Sequence, residues 1–206
     1  MTRHLLLRST ALSLGLLLVF LGGCLASSPP SRFYLLSPLS SPESLPGTRS
    51  VIALGVGPVA LPEYLNRTQI VTRAGEHQLQ LAEFDRWAEP LARSFTRVLV
   101  MNLSTLLATD RIALHPWNRS TPIDYQVIVD VARFDAGEDG TASLLARWSI
   151  VDGAAREILR VRKSAFSEPV DDDGYPATVA SMSRLVGALS LEIAEAIRDL
   201  SASAGD

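Results

Sequence analysis

A single cysteine, Cys24, is the residue of this chain whose type and position most directly indicate chemistry. It is the only cysteine among 206 residues. A lone thiol excludes a disulfide framework and a zinc site built on cysteines. Gly22 and Gly23 precede it, and small residues at these positions suit the narrow cleft of a signal peptidase. The thiol is therefore a candidate for covalent modification next to a cleavage site.

The residues before Cys24 have the pattern of a secretory signal. Arg3 and Arg8 form a cationic start without acidic residues, and the apolar stretch 11–21 follows. The ending Leu-Gly-Gly-Cys resembles the bacterial lipobox. This resemblance implies cleavage between Gly23 and Cys24, a diacylglyceryl group on the thiol and an acyl chain on the new α-amine.

Two other interpretations of this segment are weaker. A transmembrane anchor needs about 20 apolar residues, but Arg8, Ser9 and Thr10 interrupt the run. A plain secreted protein would carry Cys24 here by coincidence. By analogy with enterobacterial lipoproteins, Leu25 in place of an Asp after the cysteine favours the outer membrane. The outer leaflet of the inner membrane is the less favoured alternative.

Charge excludes two classes of partner. The formal net charge is −3, and no run of Lys and Arg occurs that could neutralise the phosphates of a nucleic acid. A polybasic patch that could hold an anionic membrane is also missing. Attachment to a membrane must therefore come from lipid on Cys24, where two or three acyl chains hold far better than one.

Two segments have the three- and four-residue spacing of apolar positions that is typical of amphipathic helices. The first begins near Pro90, which suits the first turn of a helix, and the second follows Tyr175-Pro176. The first apolar stripe comprises Leu91, Phe95, Val98, Leu99, Leu103, Leu106 and Leu107, and the second comprises Met182, Leu185, Val186, Leu189, Ile193, Ile197 and Leu200.

Eight shorter segments are predicted to be strands. They cover 33–36, 51–59, 69–72, 78–81, 111–114, 125–134, 143–151 and 156–165. The segment 51–59 is apolar at both odd and even positions, as a buried central strand is. The sequence thus predicts an α+β fold, a two-layer sandwich in which a mixed, largely antiparallel sheet packs against two long amphipathic helices.

The predicted domain organisation is simple. A signal peptide covers 1–23, and the lipidated cysteine with a short polar tether covers 24–31. A single domain covers 32–201, and residues 202–206 are expected to fray.

The sequence carries no recognisable catalytic or ligand-binding motif. His77 and His115 lack neighbouring residues at metal-ligand spacing. Gly55-Val56-Gly57 is followed by Pro58 and lacks the third glycine of a dinucleotide loop, so strand glycines at a bulge are expected. The acidic run 171–173 lacks the closing Glu of a calcium loop. We therefore expect neither a metal site nor catalytic residues.

Several motifs occur in order along the rest of the chain. They are Phe33-Tyr34-Leu35-Leu36, the run 61–73 (LPEYLNRTQIVTR), Trp87-Ala88-Glu89-Pro90-Leu91, Asn102-Leu103 and Gly174-Tyr175. With these motifs the chain resembles the PqiC/YmbA family, the ABC-type transport auxiliary lipoproteins. The runs 61–73 and 87–91 are the more specific parts of the resemblance.

The resemblance implies a non-catalytic, periplasm-facing lipoprotein of the outer membrane. Its partner would be an MCE-domain protein of an intermembrane lipid transport system, and by analogy it could form a ring-like homo-oligomer. No cofactor is expected beyond the diacylglycerol and N-acyl chain on Cys24. Two alternatives remain: a module that carries a lipid between its sheet and helices, and a hydrolase with His77 or His115 beside a serine.

One loop is the candidate interface. Pro62, Tyr64, Leu65 and Arg67 combine a proline-fixed turn with an aromatic ring and an arginine, residue types that are enriched in interfaces. The alternative is that Tyr64 and Leu65 only cap the hydrophobic core.

Overall fold

A computed structural model describes residues 29–40, 51–118, 120–172 and 174–203. The predicted signal peptide, Gly23 and Cys24 lie outside these residues, as does Asp173 of the acidic run. The described residues from Ser31 onward form one compact unit. The last helix continues to Ser203, two residues beyond the predicted end of the domain.

The chain forms eight strands, two α-helices and one 3₁₀ turn, Glu63–Leu65, within the described ranges. The helices are α1 (Leu91–Leu106) and α2 (Tyr175–Ser203). The strands are β1 (Arg32–Tyr34), β2 (Leu54–Ala60), β3 (Gln69–Arg73), β4 (Leu79–Trp87), β5 (Ile112–Leu114), β6 (Tyr125–Gly137), β7 (Thr141–Asp152) and β8 (Ile158–Pro169).

The strands form a single mixed sheet around β6. On one side β6 pairs with β7, and β7 pairs with β8, in two long antiparallel ladders. On its other side β6 pairs in parallel with β2 at Leu54–Ala60 and with β3 at Thr72 and Arg73. The order on this side is β1-β4-β3-β6-β2-β5. The predicted α+β class is confirmed: the long ladders are antiparallel, and parallel pairing is confined to shorter ones.

Both helices lie on one face of this sheet. The predicted apolar stripes are the buried faces of α1 and α2, with Leu106 and Leu200 partly buried at their ends. They cover alternate residues of β6 and β7, such as Val129, Phe134 and Trp148, each at most 1% exposed. Side chains on one face of a strand recur at every second residue, so the polar residues between them lie on the uncovered face.

The long helix α2 has the length and composition of a membrane span, but 61% of its most apolar window is buried inside the protein. Gly187 lies against the side chain of Leu39 and leaves no room for a Cβ, which would come within 2.5 Å of Leu39 Cδ2. This close contact joins the residues after β1 to the middle of α2. The helix therefore serves as a core element of the domain.

Some strand bounds differ from the prediction for physical reasons. Strand β4 was predicted to end at 81 but continues to Trp87. The prediction stopped early because Asp85 interrupts the apolar pattern. The strand tolerates this buried acid because its carboxylate is hydrogen-bonded. The ladder between β2 and β6 shifts register between Val56 and Val59. The bulge predicted for the strand glycines is therefore confirmed.

Candidate functional site

Motifs that are far apart in the sequence meet at one corner of the sheet. Tyr34 on β1 lies opposite Trp87 on β4. The N–H of Trp87 donates to the carbonyl of Thr68 at 2.7 Å, and the N–H of Ala88 donates to the carbonyl of Tyr34 at 2.9 Å. Backbone hydrogen bonds thus join three motif segments, those around residues 34, 68 and 87. We call this region the motif corner.

The candidate loop fills a gap between two strands. Strand β2 ends opposite Asp130 of β6, and β3 resumes the pairing opposite Ala136. Between them the chain leaves the sheet as the 3₁₀ turn, with the N–H of Leu65 donating to the carbonyl of Pro62 at 3.0 Å. Pro62 has φ −56° just before this turn, an angle that the proline ring favours.

The structure divides the four predicted interface residues into two groups. Leu65 is 3% exposed and belongs to the core, while Tyr64 is half-buried and packs against it. Pro62 is also partly buried, whereas Arg67 is exposed. For Tyr64 and Leu65 the structure agrees with the core-capping alternative. The surface of the loop is carried by Arg67 and its exposed neighbours Glu63, Asn66 and Thr68.

A fully buried carboxylate fixes this loop from below. The hydroxyl of Tyr64 donates to Asp135 Oδ2 at 2.8 Å. The guanidinium of Arg73 donates to both carboxylate oxygens, at 3.3 and 3.0 Å, and Arg133 Nε donates to Oδ1 at 2.9 Å. Asp135 itself is 0% exposed. We call these four residues the Asp135 cluster.

Hydrogen bonding sets the charge state of the Asp135 cluster. Burial alone would raise the pKa of Asp135, but the hydrogen bonds from Arg73, Tyr64 and Arg133 lower it below its ordinary value. Burial and the hydrogen bond to Asp135 raise the pKa of Tyr64 to about 12. At neutral pH the carboxylate is therefore ionised and the phenol protonated, which is the pairing that the geometry requires.

Arg67 completes the loop at the surface. Its Nε donates to the carbonyl of Tyr64 at 2.7 Å, which uses one of five N–H donors in the guanidinium. The amide of Asn66 donates to Glu63 Oε1 at 3.0 Å on the same turn. The arginine is thus fixed through its Nε, while its terminal N–H groups face solvent.

A second buried aspartate lies at the motif corner itself. Asp85 is 3% exposed. The hydroxyl of Tyr34 donates to its Oδ1 at 2.7 Å, and Arg32 Nη2 donates to its Oδ2 at 2.8 Å. Burial, together with the nearby carboxylate of Asp85, raises the pKa of Tyr175 at the start of α2. We call Asp85, Tyr34 and Arg32 the Asp85 cluster.

Sequence reasoning missed both aspartates. Strand β6 was predicted to end at Phe134, one residue before Asp135, and β4 was predicted to end before Asp85. Both acids interrupt apolar stretches, and each has an arginine partner far away in the chain. Arg73 lies 62 positions from Asp135 and Arg32 lies 53 positions from Asp85, while only Arg133 is a sequence neighbour of Asp135. A single sequence contains no signal that joins residues at such separations.

Two other motifs have structural roles. Asn102 is 1% exposed; its Oδ1 accepts from the N–H of Leu39 at 2.9 Å, and its Nδ2 donates to Ser190 Oγ at 3.1 Å. It therefore ties the residues after β1 to both helices. Pro90 caps α1 rather than occupying its first turn, and Glu89 pairs with Arg97 at 3.1 Å.

The residues proposed for catalysis are not brought together. Among the described residues, no hydrogen bond joins His77 or His115 to a serine, and no group of three metal-ligating side chains occurs. The space between sheet and helices is filled by large side chains, Phe95, Phe134 and Trp148 among them. The hydrolase and lipid-carrier alternatives therefore find no support in these ranges.

Comparison with known proteins identifies the family. The sequence model of the ABC-type transport auxiliary lipoprotein component matches residues 34–194. Intermembrane transport lipoprotein PqiC from Escherichia coli is 25% identical over 130 residues, which are 63% of this chain and 68% of PqiC. The region that the family model matches includes all of the Asp135 cluster, and Tyr34 and Asp85 of the Asp85 cluster.

Two crystal structures share the fold. An uncharacterized protein superposes with a TM-score of 0.68 at 23% identity, over 82% of this chain and 99% of its own. A protein from Xanthomonas campestris gives the same TM-score at 15% identity, over 80% and 93% of the two chains. Since the family model covers most of the sequence, this chain belongs to the ABC-type transport auxiliary lipoprotein family.

Proposed function

We propose that this protein is the outer-membrane lipoprotein of an intermembrane lipid transport system. It is anchored through diacylglycerol and an N-acyl chain on Cys24, faces the periplasm and docks the periplasmic transport machinery without a catalytic cycle of its own. Family membership supports the transport role, and similarity to the intermembrane transport lipoprotein PqiC points to transport between membranes. The MCE-domain protein of the same system is the proposed partner.

The observation that carries the docking role is the construction of the loop 61–68. The Asp135 cluster and buried Leu65 hold it from inside, so that Glu63, Asn66, Arg67 and Thr68 stay exposed in one fixed arrangement. A rigid loop loses little conformational entropy when it binds. A solvent-facing arginine at its tip supplies the type of residue that is enriched in interface hot spots.

The docking role is tested by capture of the MCE-domain protein on detergent-solubilised lipoprotein. Arg67→Glu is the test variant, because Arg67 is exposed and its removal leaves the Asp135 cluster intact. Arg93→Glu is the matched control, since Arg93 is an exposed arginine on α1. We expect Arg67→Glu to lose capture and Arg93→Glu to retain it. Equal capture by both variants and the wild type would exclude the loop as the docking surface.

The anchor is tested separately. Wild-type protein grown with radiolabelled palmitate should become labelled, and a Cys24→Ser variant should not, because the thiol and the α-amine exposed by cleavage are the proposed acceptors. Equal labelling of both proteins, or of neither, would contradict the lipid anchor on Cys24, on which the docking role at the membrane depends.

A further inference from the structure

A cleft at the opposite end of β6 has the composition of a ligand site. Its volume is about 480 Å³, and His115, Trp117, Thr121, Gln126 and Arg156 line it. Volumes of about 300–1,000 Å³ are usual for small-molecule sites. Gln126 and Asp135 are nine residues apart on one strand, which is on the order of 30 Å. The cleft is therefore separate from the docking loop.

Arg156 is held in position by a buried side chain. Its Nη1 donates to Gln126 Oε1 at 2.8 Å. Gln126 is 3% exposed and is itself fixed, because its Nε2 donates to the carbonyl of Gly57 at 2.8 Å. The bond to Gln126 uses one of the five guanidinium donors, so the arginine keeps donors for a ligand in the cleft.

The backbone at Arg156 has an unusual conformation. Its φ is +61°, in the left-handed region that residues other than glycine adopt infrequently. The N–H of Arg156 donates to the carbonyl of Asp152 at 3.0 Å and holds the turn in this form. Such conformations persist where the surrounding structure imposes them, and they concentrate at functional sites.

The glycines of β2 allow His115 and Trp117, on the other side of the cleft, to pack closely against the strand. A Cβ at Gly55 would lie 2.7 Å from Trp117 Cη2, and one at Gly57 would lie 2.8 Å from the Cβ of His115. The N–H of His115 donates to the carbonyl of Val56 at 2.9 Å, and its ring meets that of Trp117 edge to face, with centroids 5.5 Å apart. The Gly-x-Gly pair therefore brings His115 and Trp117 against the strand.

The polar groups of the cleft favour an anion. Arg156, His115 and Thr121 offer N–H and O–H donors, and none of the described lining residues carries a carboxylate. Two acids that are next in sequence to lining residues accept hydrogen bonds from backbone N–H groups. Asp124 Oδ2 accepts from the N–H of Ala53 at 2.7 Å, and Asp152 Oδ1 accepts from two backbone N–H groups within its own turn.

We propose that this cleft binds the phosphate group of a small phosphate ester, with Arg156 as the principal ligand and Trp117 as an apolar wall. A phosphate monoester offers three strong acceptor oxygens to the three donor side chains, and a phosphodiester offers two together with its weaker ester oxygens, whereas a carboxylate offers two in all. The ester is either a soluble metabolite or the headgroup of a phospholipid. The site does not depend on the docking role, and its test uses the lipoprotein alone.

The test uses the full chain in a non-ionic detergent, with tryptophan fluorescence and calorimetry as readouts. Trp87 and Trp148 are 4% and 1% exposed, while Trp117 is only partly buried, so a ligand in the cleft changes mainly the emission of Trp117. Glycerol 3-phosphate is the soluble probe. Dihexanoyl phosphatidylglycerol in the micelle is the lipid probe, and dihexanoylglycerol is its phosphate-free control.

Two variants separate the proposed contact from general electrostatics. Arg156→Gln removes the charge in the cleft, while Arg147→Gln removes the same charge from an exposed position on β7. We expect Arg156→Gln to weaken phosphate binding about tenfold or more, as the loss of a charge-assisted hydrogen bond does. Arg147→Gln should bind as the wild type does. Arg156→Lys keeps the charge without the planar fork and should fall between them.

Each outcome has a definite meaning. Tighter binding of the phosphatidylglycerol probe than of glycerol 3-phosphate identifies a lipid headgroup, and the reverse order identifies a soluble ester. The proposal is overturned if neither phosphate probe binds, if the phosphate-free lipid binds equally well, or if both arginine variants behave alike. Tighter binding of a short peptide through its terminal carboxylate would also overturn it, in favour of a protein partner.

Discussion

The Asp135 and Asp85 clusters use the same chemistry at two depths. In each, a buried aspartate accepts a hydrogen bond from a tyrosine hydroxyl and pairs with arginine. The Arg32 side chain beside Asp85 is 66% exposed, whereas those of Arg73 and Arg133 beside Asp135 are 22% and 37% exposed. Asp135 thus has two partly shielded cations, and Asp85 has one in solvent.

The difference follows from what each cluster holds in place. The Asp85 cluster joins the edge strand β1, which follows the predicted tether in the sequence, to β4. The Asp135 cluster fixes a loop that has left the sheet between β2 and β3. A loop without ladder hydrogen bonds depends on its side-chain contacts, and shielded ion pairs are less weakened by solvent and salt than exposed ones. We infer that the Asp135 cluster is the stronger one because its loop lacks the hydrogen bonds of the sheet.

The largest expected effect comes from Asp135→Asn. It leaves Arg73 and Arg133 facing a neutral group, and loss of one member of a buried pair costs about 3–5 kcal/mol. Asp85→Asn should cost less, about 1–2 kcal/mol, because solvent can compensate Arg32. Urea unfolding of both variants measures the two free energies of unfolding.

The control for this pair is Asp130→Asn, which changes an exposed carboxylate on the same strand as Asp135. Its free energy of unfolding should stay within about 0.5 kcal/mol of the wild type. If Asp85→Asn proves as costly as Asp135→Asn, exposure of the arginine does not decide the strength of these clusters.

Alkaline pH should reduce the free energy of unfolding through the tyrosines of the two clusters, by a smaller amount than Asp135→Asn does. The folded pKa of Tyr64 is raised to about 12, above the ordinary value of about 10. Its contribution to stability is therefore complete below pH 10 and is lost as the pH rises through 12, which amounts to roughly 2–3 kcal/mol. The free energy of unfolding should fall between pH 9 and pH 12 in both proteins, and the fall should be smaller in Tyr64→Phe than in the wild type by about this amount.

Tyr34→Phe is the matching variant in the other cluster. Burial and the bond to Asp85 also raise the pKa of Tyr34, so its contribution has the same sign and is also lost at high pH. Because Tyr34 lies at the sheet edge, we expect Tyr34→Phe to remove less of the alkaline loss than Tyr64→Phe does. An alkaline loss that is the same in the wild type and Tyr64→Phe would show that the phenol is not bonded as described.

The two clusters also show where reading the sequence succeeds and where it ends. The apolar stripes of both helices follow from a 3.6-residue period, and the predicted strands follow from residue type and turn chemistry, so the α+β class could be predicted. Asp85 and Asp135 could not, because an acid inside a strand indicates a strand end unless its distant arginine is known. The loop 61–68 was predicted in part. The sequence identified its residues, but it did not show that Tyr64 and Leu65 pack on the core while Arg67 is exposed.

A finer comparison replaces one arginine in each cluster. Arg73→Gln leaves Asp135 with Arg133 and should cost about 1.5–3 kcal/mol, the value of a hydrogen bond to a charged group. Arg32→Gln removes the exposed partner of Asp85 and should cost less. Added salt should reduce the difference between wild type and Arg32→Gln more than that between wild type and Arg73→Gln, because exposed pairs are screened more strongly. Thermal unfolding at two salt concentrations measures both trends, and the reverse order of salt sensitivity would contradict the assignment.

The smallest effect on stability is expected at Arg67, an exposed loop residue that belongs to neither cluster. The side chain of Arg67 is exposed and, within the described part of the chain, donates only to the carbonyl of Tyr64, so Arg67→Ala should change the free energy of unfolding by less than about 0.5 kcal/mol. Docking should nevertheless weaken, because Arg67 belongs to the exposed surface of the loop that is proposed to contact the partner. Tyr64→Phe provides the contrast, since it lowers stability while keeping the ring and Arg67. If Tyr64→Phe weakens partner capture as much as Arg67→Ala does, rigidity of the loop matters to docking as much as its surface; if neither variant weakens capture, the loop serves the fold alone.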